Sequence, residues 1–267
     1  MTVLRFLNNT SLFVSIGALF TYVFGVLICQ QQIIVTHALN AFFLTWCAYQ
    51  FINPIESRYR KVYMVVACTG ACINFLFLPL HFFIPVITGI ALTLFYKNDW
   101  RGGEFSKSHF SLRGNGWTKT LATAMAWTIV TSWWMFVDLI AVEQGWILAL
   151  PILSQFLWIG GLALAGDLRD VHVERDLGAT LPAKWGRIKT CIVCSGLFIL
   201  SCALVLAFMR VQNDLERVDF LLISAITVIA LLVTWRINPG RNWQRLTSLL
   251  DGLLILKGIC AFLCLIV

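Results

Sequence analysis

Charge is what this sequence lacks most. Only 12% of its 267 residues are Asp, Glu, Lys or Arg, where a soluble domain carries roughly 25%. Apolar side chains make up 59% of the chain, and mean hydropathy is +0.82. This balance excludes a cytosolic enzyme and a nucleic-acid-binding module and leaves an integral membrane protein. The apolar runs are too long and unbroken for outer-membrane strands, which alternate over about 10 residues, so the bundle is helical. No internal repeat, low-complexity segment or ligand spacing among the four histidines is present. No small-x-small cleavage site follows Ser11–Cys29, which is therefore expected to remain as the first span. The nine cysteines all fall in apolar stretches and read as packing residues rather than a disulfide framework. Cys191 and Cys194 have C-x-x-C spacing, but the second pair that a zinc site needs is missing.

Apolar runs between charged or Pro/Gly-rich breaks predict nine helices near 11–29, 33–53, 62–79, 81–96, 118–140, 143–166, 187–209, 218–235 and 247–266. Pro79, Leu80 and His81 alone divide the third from the fourth, so one long kinked hairpin is the alternative there. In this arrangement 17 of the 20 Lys and Arg residues fall on one side of the membrane; Arg210 and Arg217 fall on the other, and Lys257 lies within the last span. The bias of basic residues places the amino terminus in the cytoplasm and the carboxyl terminus on the far side. The net charge of +7 is therefore first a topology signal. Long cytoplasmic connections at 54–61, 97–117 and 167–186 are expected to form a cap over a single domain, 1–267.

The chain has only thirteen acids, and four of them cluster between Asp167 and Asp176. On a helix, Asp167, Asp170 and Glu174 share a face about 60° wide. Like charges that close repel unless cations sit among them, and hard oxygen ligands suit Mg2+ bound together with phosphate. On spacing alone, a solvated acidic loop balanced by its own arginines fits as well, with Arg169, Arg175 and His172 on other faces.

A turn follows, with Gly178-Ala179-Thr180-Leu181-Pro182 and Trp185-Gly186. The whole stretch resembles the second aspartate-rich motif of the UbiA superfamily of intramembrane prenyltransferases, D-x-x-D-x-x-x-D-R-x-x-G followed by T-L-P. Asp167, Asp170, Glu174, Arg175 and Gly178 occupy its places, with Glu for the third Asp and a turn one residue short. Arg113, Lys119 and Trp127, and Leu250-Asp251-Gly252, are weaker matches to bacterial members. The resemblance implies an all-α membrane fold of nine helices with a cytoplasmic cap. It also implies transfer of a prenyl group from an allylic isoprenoid diphosphate to a lipophilic acceptor, with membrane lipid around it and a bacterial inner membrane as the location. Asp167, Asp170 and Glu174 would hold Mg2+ and serve catalysis, with Glu56 as a further ligand. Arg113, Lys119, Arg175 and Asn53 would bind the diphosphate.

The first motif of that family, N-D-x-x-D-x-x-x-D at the end of the second helix, is eroded here. Tyr49, Ile52 and Glu56 fill the aspartate places in one register; Gln50, Asn53 and Ser57 fill them in the other. One carboxylate survives, and amides bind magnesium far more weakly. Two rival readings follow, a non-catalytic isoprenoid-binding or accessory protein and a terpene cyclase of the same superfamily. Lys257, near the middle of the last span, is either a functional cation or a snorkelling one, and Asp251 faces about 120° away from it. Asn40, Asn74 and His37 either line a cavity or join helices.

Overall fold

A computed structural model describes residues 11–52, 60–96, 116–141, 145–171, 180–212, 217–238 and 243–266. Nine α-helices lie among the described residues: α1 Leu12–Ile28, α2 Val35–Ile52, α3 Arg60–Phe75, α4 Phe83–Tyr96, α5 Gly116–Ala141, α6 Ala149–Asp170, α7 Leu181–Val211, α8 Arg217–Arg236 and α9 Trp243–Ile266. A 3-10 turn at Leu80–Phe82 separates α3 from α4, and another at Gly145–Leu148 leads into α6. Pro85 sits in the first turn of α4, where its missing N–H has no intrahelical acceptor to lose. The proline-rich stretch thus ends one helix and starts the next.

Among the described residues, three segments are long and apolar enough to cross a membrane, Trp146–Asp170, Leu181–Val211 and Val218–Arg236. Shorter apolar helices accompany them, and α3 and α4 have 16 and 14 residues, below the roughly 20 needed to span the hydrocarbon upright. The exterior is strongly apolar, with Leu76, Leu80 and Phe77 among the most exposed side chains. An outside of this kind is matched to lipid rather than water.

The helices close into a ring. α1 packs on α2, α2 on α4, and α4 on α5, after which each helix packs on the next until α9 returns to α1; α3 lies against α2. Closure depends on glycine, because a Cβ on Gly258 of α9 would come within 2.6 Å of the Phe20 carbonyl oxygen of α1. Inside, Gln155 donates to Thr131 at 2.8 Å, tying α6 to α5. Ser154 and Ser201 each donate to the other's carbonyl at 2.8 Å, tying α6 to α7. Most buried threonine hydroxyls instead return to the carbonyl four residues back, as Thr128 and Thr131 do at 2.7 Å, and so need no partner across the bundle.

Two expected boundaries are corrected. α6 runs to Asp170 rather than 166, so the first two acids of the cluster are helical. α7 begins at Leu181 rather than 187, so Leu181–Trp185, expected to belong to a turn, is helical. Thr180 has extended geometry (φ −64°, ψ 152°) and Pro182 lies in the first turn, which together start a helix there. That helix breaks at Gly186 (φ 76°, ψ 168°) and resumes. The expected cap falls mostly at 53–59, 97–115 and 172–179, outside the described residues.

Candidate functional site

The last turn of α6 brings Asp167 and Asp170 to the end of the bundle. Asp167 is buried against the first turn of α5, where Lys119 Nζ lies 2.7 Å from its Oδ1 and each side chain is 8% exposed. The Thr120 hydroxyl reaches Asp167 Oδ2 at 3.4 Å as well as the Gly116 carbonyl at 3.1 Å. Asp170 is half-buried and gripped by its neighbour, with Arg169 Nε and Nη2 each donating to one carboxylate oxygen at 2.7 Å. Two parallel bonds of this kind fix orientation as well as charge. Arg169 also interacts electrostatically with Asp251 of α9 and Tyr49 of α2.

Neighbouring elements frame this polar end. The Tyr49 ring meets Trp127 of α5 edge-on at 6.4 Å, and Gln50 is fully buried. At the start of α5, Trp117 meets Trp185 edge-on at 5.0 Å, which docks the short Leu181–Trp185 turn of helix against α5. Arg187, just past the Gly186 break, donates to the Trp235 carbonyl at 2.7 Å and ties α7 to the end of α8.

Of the residues singled out in the sequence, Asp167, Asp170 and Lys119 come together. Glu174, Arg175, Asn53, Glu56 and Arg113 lie outside the described residues. Arg169 is expected on another face of the helix, yet its long side chain folds sideways onto Asp170. Thr120 was not singled out, since threonines on helices usually bond their own backbone; only the approach of α6 to α5 gives it a second partner. Asn74 donates to the Thr36 carbonyl at 2.9 Å, the helix-joining alternative. His37 packs on the Phe82 ring at 4.3 Å. The described cysteines are free thiols, and Cys191 and Cys194 are fully buried as packing residues.

Asp167 and Asp170 are hard oxygen donors one turn apart, chemically suited to magnesium. Each also carries a cation supplied by the chain, so a divalent ion there would exchange with Lys119 and Arg169. Among the described residues, no three His, Cys, Asp or Glu side chains gather closely enough to hold a metal ion.

No family model matches the chain, and no curated protein matches it. Among solved structures, one of a digeranylgeranylglyceryl phosphate synthase in membranes superposes with a TM-score of 0.52, over 99% of this chain and 95% of that one. The chain shares the fold of this synthase. At 14% identity the likeness is one of architecture. The superposed length takes in all nine helices, and with them the α5–α6 contact that carries Lys119 and Asp167.

Proposed function

We propose that this chain is a UbiA-type prenyltransferase. It moves the prenyl group of an allylic isoprenoid diphosphate to a lipophilic acceptor inside the membrane. The observation that carries the proposal is the buried Lys119–Asp167 contact at the end of α6, where the second motif puts two aspartates beside cations in a bundle of the synthase fold.

Mg2+, held by Asp167 and Asp170 with Glu174 and Glu56, would supply charge neutralisation for the departing diphosphate. With the carboxylates engaged by such an ion, Lys119 and Arg169 would be free to bind the diphosphate oxygens, together with Arg113, Arg175 and Asn53 from the adjoining segments. The C–O bond to the prenyl carbon breaks, and diphosphate leaves with the electron pair. An electron pair of the acceptor forms the new bond, and the acceptor gives up a proton. Cations poised where negative charge grows are the main source of rate in such a site. The apolar bundle below keeps water from the allylic carbon.

In the same proposal the chain is one domain, 1–267, and all nine helices cross a bacterial inner membrane, the short α3 and α4 where the bilayer thins around them. The amino terminus and cap lie in the cytoplasm and the carboxyl terminus on the far side. A second reading rests on the same contacts: Lys119 and Arg169 already neutralise the two aspartates, as they would in a protein that binds an isoprenoid lipid without turning it over. Magnesium-dependent diphosphate release from allylic donors of several lengths, beside an Asp167→Asn/Asp170→Asn variant, separates the two. Release that the variant abolishes supports the transferase. No release from any donor, with donor binding unchanged in the variant, leaves the binding protein. Product analysis then tells transfer from cyclisation.

A further inference from the structure

α7 carries no Asp or Glu, and α8 carries only Asp219, about 25 Å of helix away from its other end at Arg236. Arg187 and Arg236 are both exposed where these two helices reach the Asp167 end of the bundle. Arg187 Nη2 donates to the Trp235 carbonyl at 2.7 Å, which sets its guanidinium against the peptide joining Trp235 to Arg236. Two arginines thus share one place, with no carboxylate from either helix beside them. Capping the carbonyl end of α8 explains the Arg187 bond. It uses one of five N–H groups and leaves the others fixed in position and exposed.

Trp235 sets the level of this place in the membrane. Its ring is 46% exposed, and its indole N–H donates to the Ser195 hydroxyl at 3.1 Å, so it reaches across from α8 to α7. A tryptophan held this way favours the headgroup boundary. Towards the bilayer interior the outer surface continues with Ile188 and Ile192 of α7 and Val228 and Leu232 of α8, each more than half exposed. A ligand that fits both parts has hydrocarbon for the aliphatic side chains and a net negative headgroup for the arginines. Free phosphate matches only the second part, and a zwitterionic lipid brings its own cation to the arginines.

We propose that Arg187, Arg236 and Trp235 form a site for one anionic glycerophospholipid. Its phosphate is held by the remaining N–H groups of Arg187 and paired with Arg236, and its acyl chains lie along α7 and α8. The site is separate from the α5–α6 contact between Lys119 and Asp167 and is independent of prenyl transfer. The bound lipid neutralises the two arginines and bridges the ends of two helices.

Native mass spectrometry of the purified protein in detergent would compare retention of phosphatidylglycerol and phosphatidylcholine of matched chains over a titration. The unaltered protein is expected to retain one phosphatidylglycerol more tightly than any phosphatidylcholine. Arg236→Gln leaves the Arg187 and Trp235 hydrogen bonds in place and should weaken that retention about fivefold, the usual effect of one basic side chain on an anionic lipid surface. Arg187→Gln/Arg236→Gln should abolish the preference. Lys61→Gln removes an exposed cation at the start of α3 and should leave the preference unchanged. Equal retention of the two lipids, an equal loss in Lys61→Gln, or release of the bound lipid by an equal concentration of inorganic phosphate overturns the proposal. So does an unchanged preference in the double variant. Should that variant not fold, Arg236→Gln alone decides, and an unchanged preference there overturns the site.

Discussion

At the residue scale, the chemistry turns on how Asp167 is held. Its carboxylate and the Lys119 ammonium are both nearly out of solvent and 2.7 Å apart. Taking away one member of a buried pair costs far more than the pair contributes. Lys119→Met is therefore expected to destabilise the protein by about 3–5 kcal/mol. Lys119→Met combined with Asp167→Leu should recover much of that loss, as read by thermal unfolding in detergent. If Lys119 binds diphosphate as well, Lys119→Arg, which keeps the charge and stability, should raise the donor KM while the midpoint moves little. If the proposed function holds, Asp167→Asn, which keeps the shape but withdraws the charge proposed to hold Mg2+, should lower magnesium-dependent diphosphate release by a factor of about 100 or more. The aspartates could be found in the sequence because acids are so rare in it, and Lys119 because its stretch resembles that of the family. The grip of Arg169 on Asp170 could not, because helical spacing describes where Cβ points and not where a long guanidinium ends.

At the scale of elements, two glycines set the shape. Gly186 adopts φ 76° and ψ 168°, a region open to glycine alone. The break it makes sets Leu181–Trp185 apart from the rest of α7, with Trp185 against Trp117 of α5. Gly186→Ala is expected to cost about 1–3 kcal/mol, and the same strain should loosen the Trp185 dock, visible as a red shift in tryptophan fluorescence. Gly258 is constrained by approach rather than by dihedral, since its absent Cβ leaves room for the Phe20 backbone. Gly258→Ala forces α1 and α9 apart at a cost of about 1–3 kcal/mol, measurable by the unfolding midpoint. The reciprocal Ser154–Ser201 pair should give a coupling of about 1 kcal/mol in a double-mutant cycle to Ala. Helix positions were legible from apolar runs to within a few residues. The exceptions were α6, which starts at Ala149 after a 3-10 turn rather than at 143 and ends at Asp170 rather than 166, and the start of α7, where helix continues into polar sequence.

At the scale of the whole molecule, basic residues and lipid-matched surface give a testable orientation. Single cysteines introduced in an otherwise cysteine-free background should report it: Arg58→Cys and Arg187→Cys labelled from the cytoplasmic side, Arg210→Cys from the opposite side. The reverse pattern would invert the proposed topology. Composition alone was enough for a helical membrane protein, because no soluble structure can hide so much apolar surface at so little charge. Spacing alone was enough to mark the acidic cluster, because helical periodicity turns sequence intervals into a shared face. Neither could reveal the partners of those acids, since Lys119 is 48 residues from Asp167 and the two meet only when α5 packs on α6. Nor could either show whether Lys257 faces lipid or interior. That depended on the ring closing through Gly258, which turns one face of α9 towards Phe24 and Trp158 and shuts the Lys257 side chain inside the bundle.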